Sequence, residues 1–247
     1  MSPDIPLITL TVLILFSFLP PIIFLIWIRN TERYGREPWL VVIKVFLWGA
    51  VFSVIIAVVV SWAVLEIYKV AAPVYVLFGS EMTLETLIAA IVVAPFVEEA
   101  AKAVGIFGAI YSINEVEDGI VYGAASGFGF SATENFVYGL FALITLGTEA
   151  SITLIIIRSV SSTLLHASAT STTGLGIGKK VVLAGRNKAA PYYLLAVGMH
   201  SLFNFFASFG ALYEASYGEY ASMFGFVAAW VFAILVFSMI RKRILKS

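Results

Sequence analysis

Any catalysis in this chain must use carboxylate, imidazole or hydroxyl groups, because its 247 residues include no cysteine. Thiol nucleophiles, thiolate metal sites and disulfides are excluded together. The remaining chemistry-bearing side chains recur inside apolar runs. "APFVEEAAK" (94–102) carries Glu98, Glu99 and Lys102, and "EDGIVYGAASGFGFSATEN" (117–135) ends on Glu134 and Asn135. "RSVSSTLLHASAT" (158–170) holds Arg158 and His166, and "HSLFN" (200–204) holds His200 and Asn204. Both histidines of the chain are in this set.

Two adjacent glutamates with an imidazole can hold and deprotonate a water, the work of a general base in peptide hydrolysis. A second histidine with an asparagine one helical turn on supplies donors to a developing oxyanion. The same residues offer a different chemistry. Two histidines and a glutamate, Glu98 or Glu99 with His166 and His200, match a catalytic zinc set with an open position. Residue types alone do not choose between a metal-assisted and a carboxylate-activated water, so zinc stays open as a cofactor.

Spacing sorts these groups onto faces. Glu98 and Lys102 are four apart and can pair, while Glu99 is turned about 100° toward another neighbour. One carboxylate is then held while the other works. Ser162, His166, Thr170 and Gly174 follow at intervals of four, a polar stripe, and His200 and Asn204 share a face. Glu134 and Arg158 read equally as an ion pair between two helices or as direct participants, and Asn135 as a packing contact. Pro95 removes a helix hydrogen bond just before the two acids, which predicts a kink and room for water.

The elements carrying these residues are membrane-spanning. The chain is 61% hydrophobic and only 12% charged, against roughly 25% charged residues in soluble domains. Fifteen basic and fifteen acidic residues leave no net charge, so neither nucleic-acid binding nor a polybasic lipid patch is indicated. Seven stretches approach the roughly 20 residues that a spanning helix needs. They lie near 5–28, 39–64, 83–110, 119–145, 150–178, 191–211 and 220–240, with a short outer segment at 65–82. The expectation is an all-α, polytopic transmembrane helix bundle, multi-pass in the cell membrane, forming one domain over 1–247 with its active-site core at 83–211.

Charge distribution orients it. Arg29, Arg33, Arg36, Lys44, Lys179, Lys180, Arg186, Lys188, Arg241, Lys242, Arg243 and Lys246 fall on one side, and Lys69 on the other. The positive-inside rule therefore gives an N-out, C-in topology. Counted from their cytoplasmic helix ends, Glu98, Glu134, His166, His200 and Asn204 lie about 14–22 Å deep, one polar layer shared by four helices. Charges at such depth are costly and usually functional. Gly119, Gly123 and Gly127 repeat at intervals of four, which predicts a smooth face for close approach of a neighbouring backbone.

These motifs carry a resemblance. "EEAAK" (98–102), 117–135, 158–170 and 200–204, in order on consecutive spans and covering about 110 residues, resemble the PrsW family of intramembrane proteases, related to the CAAX-processing-enzyme-like group. The resemblance implies a glutamate-dependent protease in which Glu98 or Glu99, with His166, activates water, while His200 and Asn204 stabilise the oxyanion. Lys102, Glu134 and Arg158 support them. Lys102 and Ser162 stand where the CAAX-processing relatives have Arg one residue later and Phe, which disfavours prenylated substrates. The family further implies membrane-anchored protein substrates, among them anti-sigma factors cut in regulated proteolysis. The alternative is a proton- or ion-coupled transporter using the intramembrane Glu, His and Arg groups. No paired repeat of broken helices supports it. A retinal-type receptor would need a deep lysine in the last span, and "MFGFVAAWVFAILVFSMI" has none.

Overall fold

The computed structural model describes residues 7–31, 35–71, 83–183 and 188–245, and is helical almost throughout them. In chain order the helices are α1 (Leu7–Arg29), α2 (Trp39–Leu47), α3 (Val54–Ala71), α4 (Leu84–Ile88) and α5 (Ala94–Phe107), then α6 (Val116–Leu146), α7 (Thr148–Arg158), α8 (Ser161–Val182), α9 (Ala190–Tyr217) and α10 (Glu219–Ile244). Widened π turns, Trp48–Ser53 and Ala89–Val93, join α2 to α3 and α4 to α5.

Helix α6 is the axis of the bundle. Its 31 residues span about 46 Å at 1.5 Å per residue, and every residue from Glu117 to Ala132 is buried. Glu115 and Asp118 start it with a reciprocal capping box, in which the Asp118 carboxylate accepts from the Glu115 N–H at 2.8 Å. Gly147, at φ 91°, ends it and turns the chain into α7.

Glycine lets two helices touch α6 on opposite sides. A Cβ placed on Gly119, Gly123 or Gly127 would lie 2.3, 2.5 or 2.4 Å from the carbonyl oxygens of Gly174, Thr170 and His166 on α8. On the other side, a Cβ on Gly49 or Gly129 would meet the carbonyl oxygens of Ser126 and Phe46, both at 2.0 Å. The expected smooth face is therefore present, and its partner is the polar stripe of α8. Large apolar side chains are left exposed along α1, α2, α3 and α10, among them Leu15, Ile23, Leu40, Val58, Trp62, Val227 and Leu235, as a lipid-facing surface requires.

Five helical segments are long and apolar enough to cross a membrane among the described residues: Leu7–Arg29, Trp39–Tyr68, Thr148–Val182, Ala190–Tyr217 and Glu219–Ile244. The chain is a multi-pass membrane protein. The expected spans at 83–110 and 119–145 are the helices α4–α5 and α6, which are not among the five. Their acids, lysine, glycines and serines lower their hydropathy, and neighbouring helices cover them.

Boundaries differ for local reasons. The stretch expected at 39–64 runs on to Ala71, and that at 191–211 to Tyr217, where Gly218 with φ 58° stops it. The stretch expected at 150–178 breaks between Arg158 and Ser161. Buried Asn135 bridges the break, donating to Thr163 Oγ1 at 3.1 Å and accepting from Arg158 Nε at 3.1 Å. Asn135 is thus more than a packing contact. Residues 72–82 of the outer segment lie outside the described residues, as do Arg33, Arg186 and Lys246.

Candidate active site

Four helices bring the polar groups together, as their common depth predicts. Helix α5 supplies Glu98, Glu99 and Lys102, α6 Glu134, α8 His166 and α9 His200. Lys102 and Glu99 are wholly inaccessible, and both histidines are 2% exposed, so each polar atom here needs a protein partner.

Glu99 accepts from three donors. Lys102 Nζ donates to its Oε1 at 2.6 Å, His200 Nδ1 to the same oxygen at 3.0 Å, and Thr170 Oγ1 to Oε2 at 2.9 Å. The expected pairing of Lys102 with Glu98 is present as a looser ion pair, and Glu99 is the tighter partner. Residues three and four apart are both neighbours on a helix. Here the lysine leans toward Glu99 because it also donates to His166 Nδ1 at 2.9 Å, while Glu98 Oε2 stays 3.7 Å away.

Those contacts set the imidazole tautomers. A lysine ammonium has only donors, so His166 Nδ1 must accept and the ring proton sits on Nε2. From there it is donated to Glu134 Oε2 at 2.9 Å. Glu134 Oε2 also accepts from Arg158 Nη2 at 2.6 Å, the expected ion pair between two helices. Arg158 reaches Ser162 Oγ at 3.2 Å and lies 3.9 Å over the Tyr138 ring. His200 gives its Nδ1 proton to Glu99, so its Nε2 carries a lone pair, 3.8 Å from Glu98 Oε2. A carboxylate that orients a histidine from behind is the usual outer partner of a metal-ligating imidazole.

Glu98 is the exception in this network. Its Oε2 is buried and has no hydrogen-bond partner. It lines a cavity of about 460 Å³ with Glu134, Arg158, Ser162, His166, Asn204 and Trp230. Two faces of that cavity are small residues, Ala90 and Ala94 on one side and Ala207, Ser208, Gly210 and Ala211 on the other. Ligand atoms of Glu98, His166 and His200 all lie within 4.8 Å of one another, the one group of this kind among the described residues. The orphaned Glu98 oxygen, the free His200 Nε2 and the Glu/His/His donor chemistry fit a zinc-like cation. His166 would offer Nε2 only with its ring proton moved to Nδ1, which requires Lys102 to release that nitrogen.

Asn204 lines the cavity too, but its Nδ2 donates to the Ala90 carbonyl at 2.7 Å. At most one amide hydrogen remains for a substrate oxygen. Sequence reasoning missed Tyr138 and Trp230, which reach the cavity from positions whose spacing marks nothing. Thr170 was visible as a member of the α8 stripe.

The match to known proteins is consistent over most of the chain. Residues 37–239 match the model of a family described as PrsW family intramembrane metalloprotease. Protease PrsW of Clostridioides difficile (strain 630) is 31% identical over 204 residues, covering 78% of each chain. No solved structure matches the chain significantly.

Proposed function

Since this chain belongs to the PrsW family of intramembrane metalloproteases and is a membrane-embedded protease, we propose that Glu98 is the group that activates water, in a site completed by His166 and His200. The observation that carries this is the unpartnered Glu98 Oε2 on the cavity wall, beside two imidazoles. A base needs a lone pair that water can reach, and Glu99 is wholly buried and already accepts from Lys102, His200 and Thr170.

In this reading Glu98 takes a proton from water as its oxygen bonds to the scissile carbonyl carbon. The same proton then passes to the amine nitrogen as the C–N bond breaks. While it keeps its proton, His166 Nε2–H is a donor on the cavity wall for the developing oxyanion. Glu99 acts behind them, holding His200 and Lys102. Glu98, His166 and His200 would hold a zinc ion, which when bound supplies Lewis-acid polarisation and a more acidic water.

The substrate is a membrane-anchored protein, with anti-sigma-type regulators the class that the family resemblance brings. The site sits in a bundle of seven spans, N-out and C-in, in which α4–α5 and α6 join the five apolar segments. The transporter alternative has no observation in its favour once the family is a protease family.

Reconstitution with a single-span substrate tests the reading. Wild type is expected to cleave, Glu98→Gln and His166→Ala to be inactive while still folded. Undiminished cleavage by Glu98→Gln would overturn it.

A further inference from the structure

The π turn before α5 leaves one backbone carbonyl with no helical donor. In the turn Ala89–Val93 the N–H of Ala94 bonds to the Ala89 carbonyl, five residues back. The Ala90 carbonyl would normally take the N–H of residue 94 in α register or of residue 95 in π register. The first is used by Ala89, and residue 95 is proline, which has no N–H. Asn204 Nδ2 fills the gap at 2.7 Å, from a different helix. The other π turn shows the same device, where Thr133 Oγ1 donates to the Ala50 carbonyl at 2.7 Å.

One extra residue in a helical turn rotates the helix after it by about 100° relative to the helix before it. That angle equals the angular separation of Glu98 and Glu99. The stretch entering α5 packs on α9 through this turn, and its Ala90 and Ala94 form cavity wall beside Glu98.

We propose that Asn204 is a positioning residue: it satisfies the Ala90 carbonyl that Pro95 orphans, holds the π turn open, and so keeps Glu98 rather than Glu99 on the cavity. This rests on Glu98 being the working carboxylate, and it assigns Asn204 a role other than contact with the reacting peptide.

A second-site rescue tests it. Alanine at position 95 restores an N–H that can reach the Ala90 carbonyl in π register. Asn204→Ala should lower kcat about tenfold or more with little change in KM, and lower the melting temperature. Pro95→Ala alone should behave as wild type, because Asn204 is still in place. The double variant should recover both kcat and melting temperature. A double variant that regains stability and stays inactive would overturn the proposal in favour of a direct oxyanion contact. Stability loss in Asn204→Ala with kcat unchanged per folded molecule would overturn it in favour of a purely architectural bond. Inactivity of Pro95→Ala alone would also overturn it, since the proline ring and not Asn204 would then hold the turn. If Asn204→Ala does not fold, recovery of folding in the double variant decides the question, and absence of recovery counts against it. The melting arm needs no substrate, so it stands even if Glu98→Gln still cleaves and the reading of the working carboxylate fails.

Discussion

Replacing Gly127 with alanine should move His166 by a distance that can be worked out in advance. A Cβ at that position lies 2.4 Å from the His166 carbonyl oxygen, 2.7 Å from its carbon and 2.8 Å from Ala167 Cα. Ordinary contact begins near 3.4 Å, so α6 and α8 must part by about 1 Å there. All three obstacles are backbone atoms, which cannot rotate aside. The His166 bonds to Lys102 and Glu134, both 2.9 Å, would stretch past useful length. A displacement of about 1 Å in a catalytic group can cost on the order of 100-fold in rate. Overpacking costs about 1–3 kcal/mol of stability, offset in part by the roughly 1 kcal/mol advantage of alanine over glycine in a helix. The assay is cleavage of a reconstituted single-span substrate, normalised to folded protein, with thermal unfolding in parallel. Gly198→Ala is the control, since nothing lies within 4 Å of its added Cβ; full activity is expected. Gly119→Ala crowds Gly174 about two turns away and should lose stability with a smaller loss of rate. Gly127→Ala cleaving within about threefold of wild type would refute the claim that this glycine sets the position of His166.

Other expectations rest on the same contacts. Glu98→Gln should abolish cleavage without lowering the melting temperature, because Glu98 Oε2 makes no hydrogen bond for the substitution to break. Glu99→Gln should destabilise by about 3–5 kcal/mol through the stranding of buried Lys102, and comparison of the two melting curves checks both. Thr170→Val removes a hydroxyl donor from a buried carboxylate and should cost about 1.5–3 kcal/mol, measured by denaturation. Stringent chelation should stop cleavage reversibly. Metal analysis should find one zinc per chain in wild type and none in His200→Ala; a metal-free protein that cleaves normally would exclude the cation.

Much of the site was legible because a membrane makes intramembrane polar groups informative. The convergence of Glu98, Glu134, His166 and His200 followed from depth along four helices, and the glycine face of α6 from spacing alone. The partner of Lys102 was not legible, because three- and four-residue neighbours are equally near on a helix. What decides it is His166, 64 residues later. The break at Ser159 also left little trace, since "RSVSST" contains no proline or glycine. Its backbone is satisfied by Asn135 from another helix. The absent N–H of Pro95 is plain in the sequence, but which carbonyl it orphans depends on the register of the turn.

The arrangement of charge argues for the same division of labour as the hydrogen bonds. Three carboxylates, Glu98, Glu99 and Glu134, face two permanent cations, Lys102 and Arg158. Each cation closes to 2.6 Å on one acid, Lys102 on Glu99 and Arg158 on Glu134. Glu98 is the one acid of the three with neither cation in hydrogen-bonding contact, Lys102 Nζ standing 3.7 Å from its Oε2. A buried acid left without a hydrogen-bond partner is costly. On a cavity wall such a group is placed for the role proposed for it, to take a proton from water or to hold a cation with the neighbouring imidazoles. Adjacent in sequence and alike in chemistry, Glu98 and Glu99 differ in their surroundings: Glu99 accepts from Lys102, His200 and Thr170, while Glu98 Oε2 has no hydrogen-bond partner and faces the cavity.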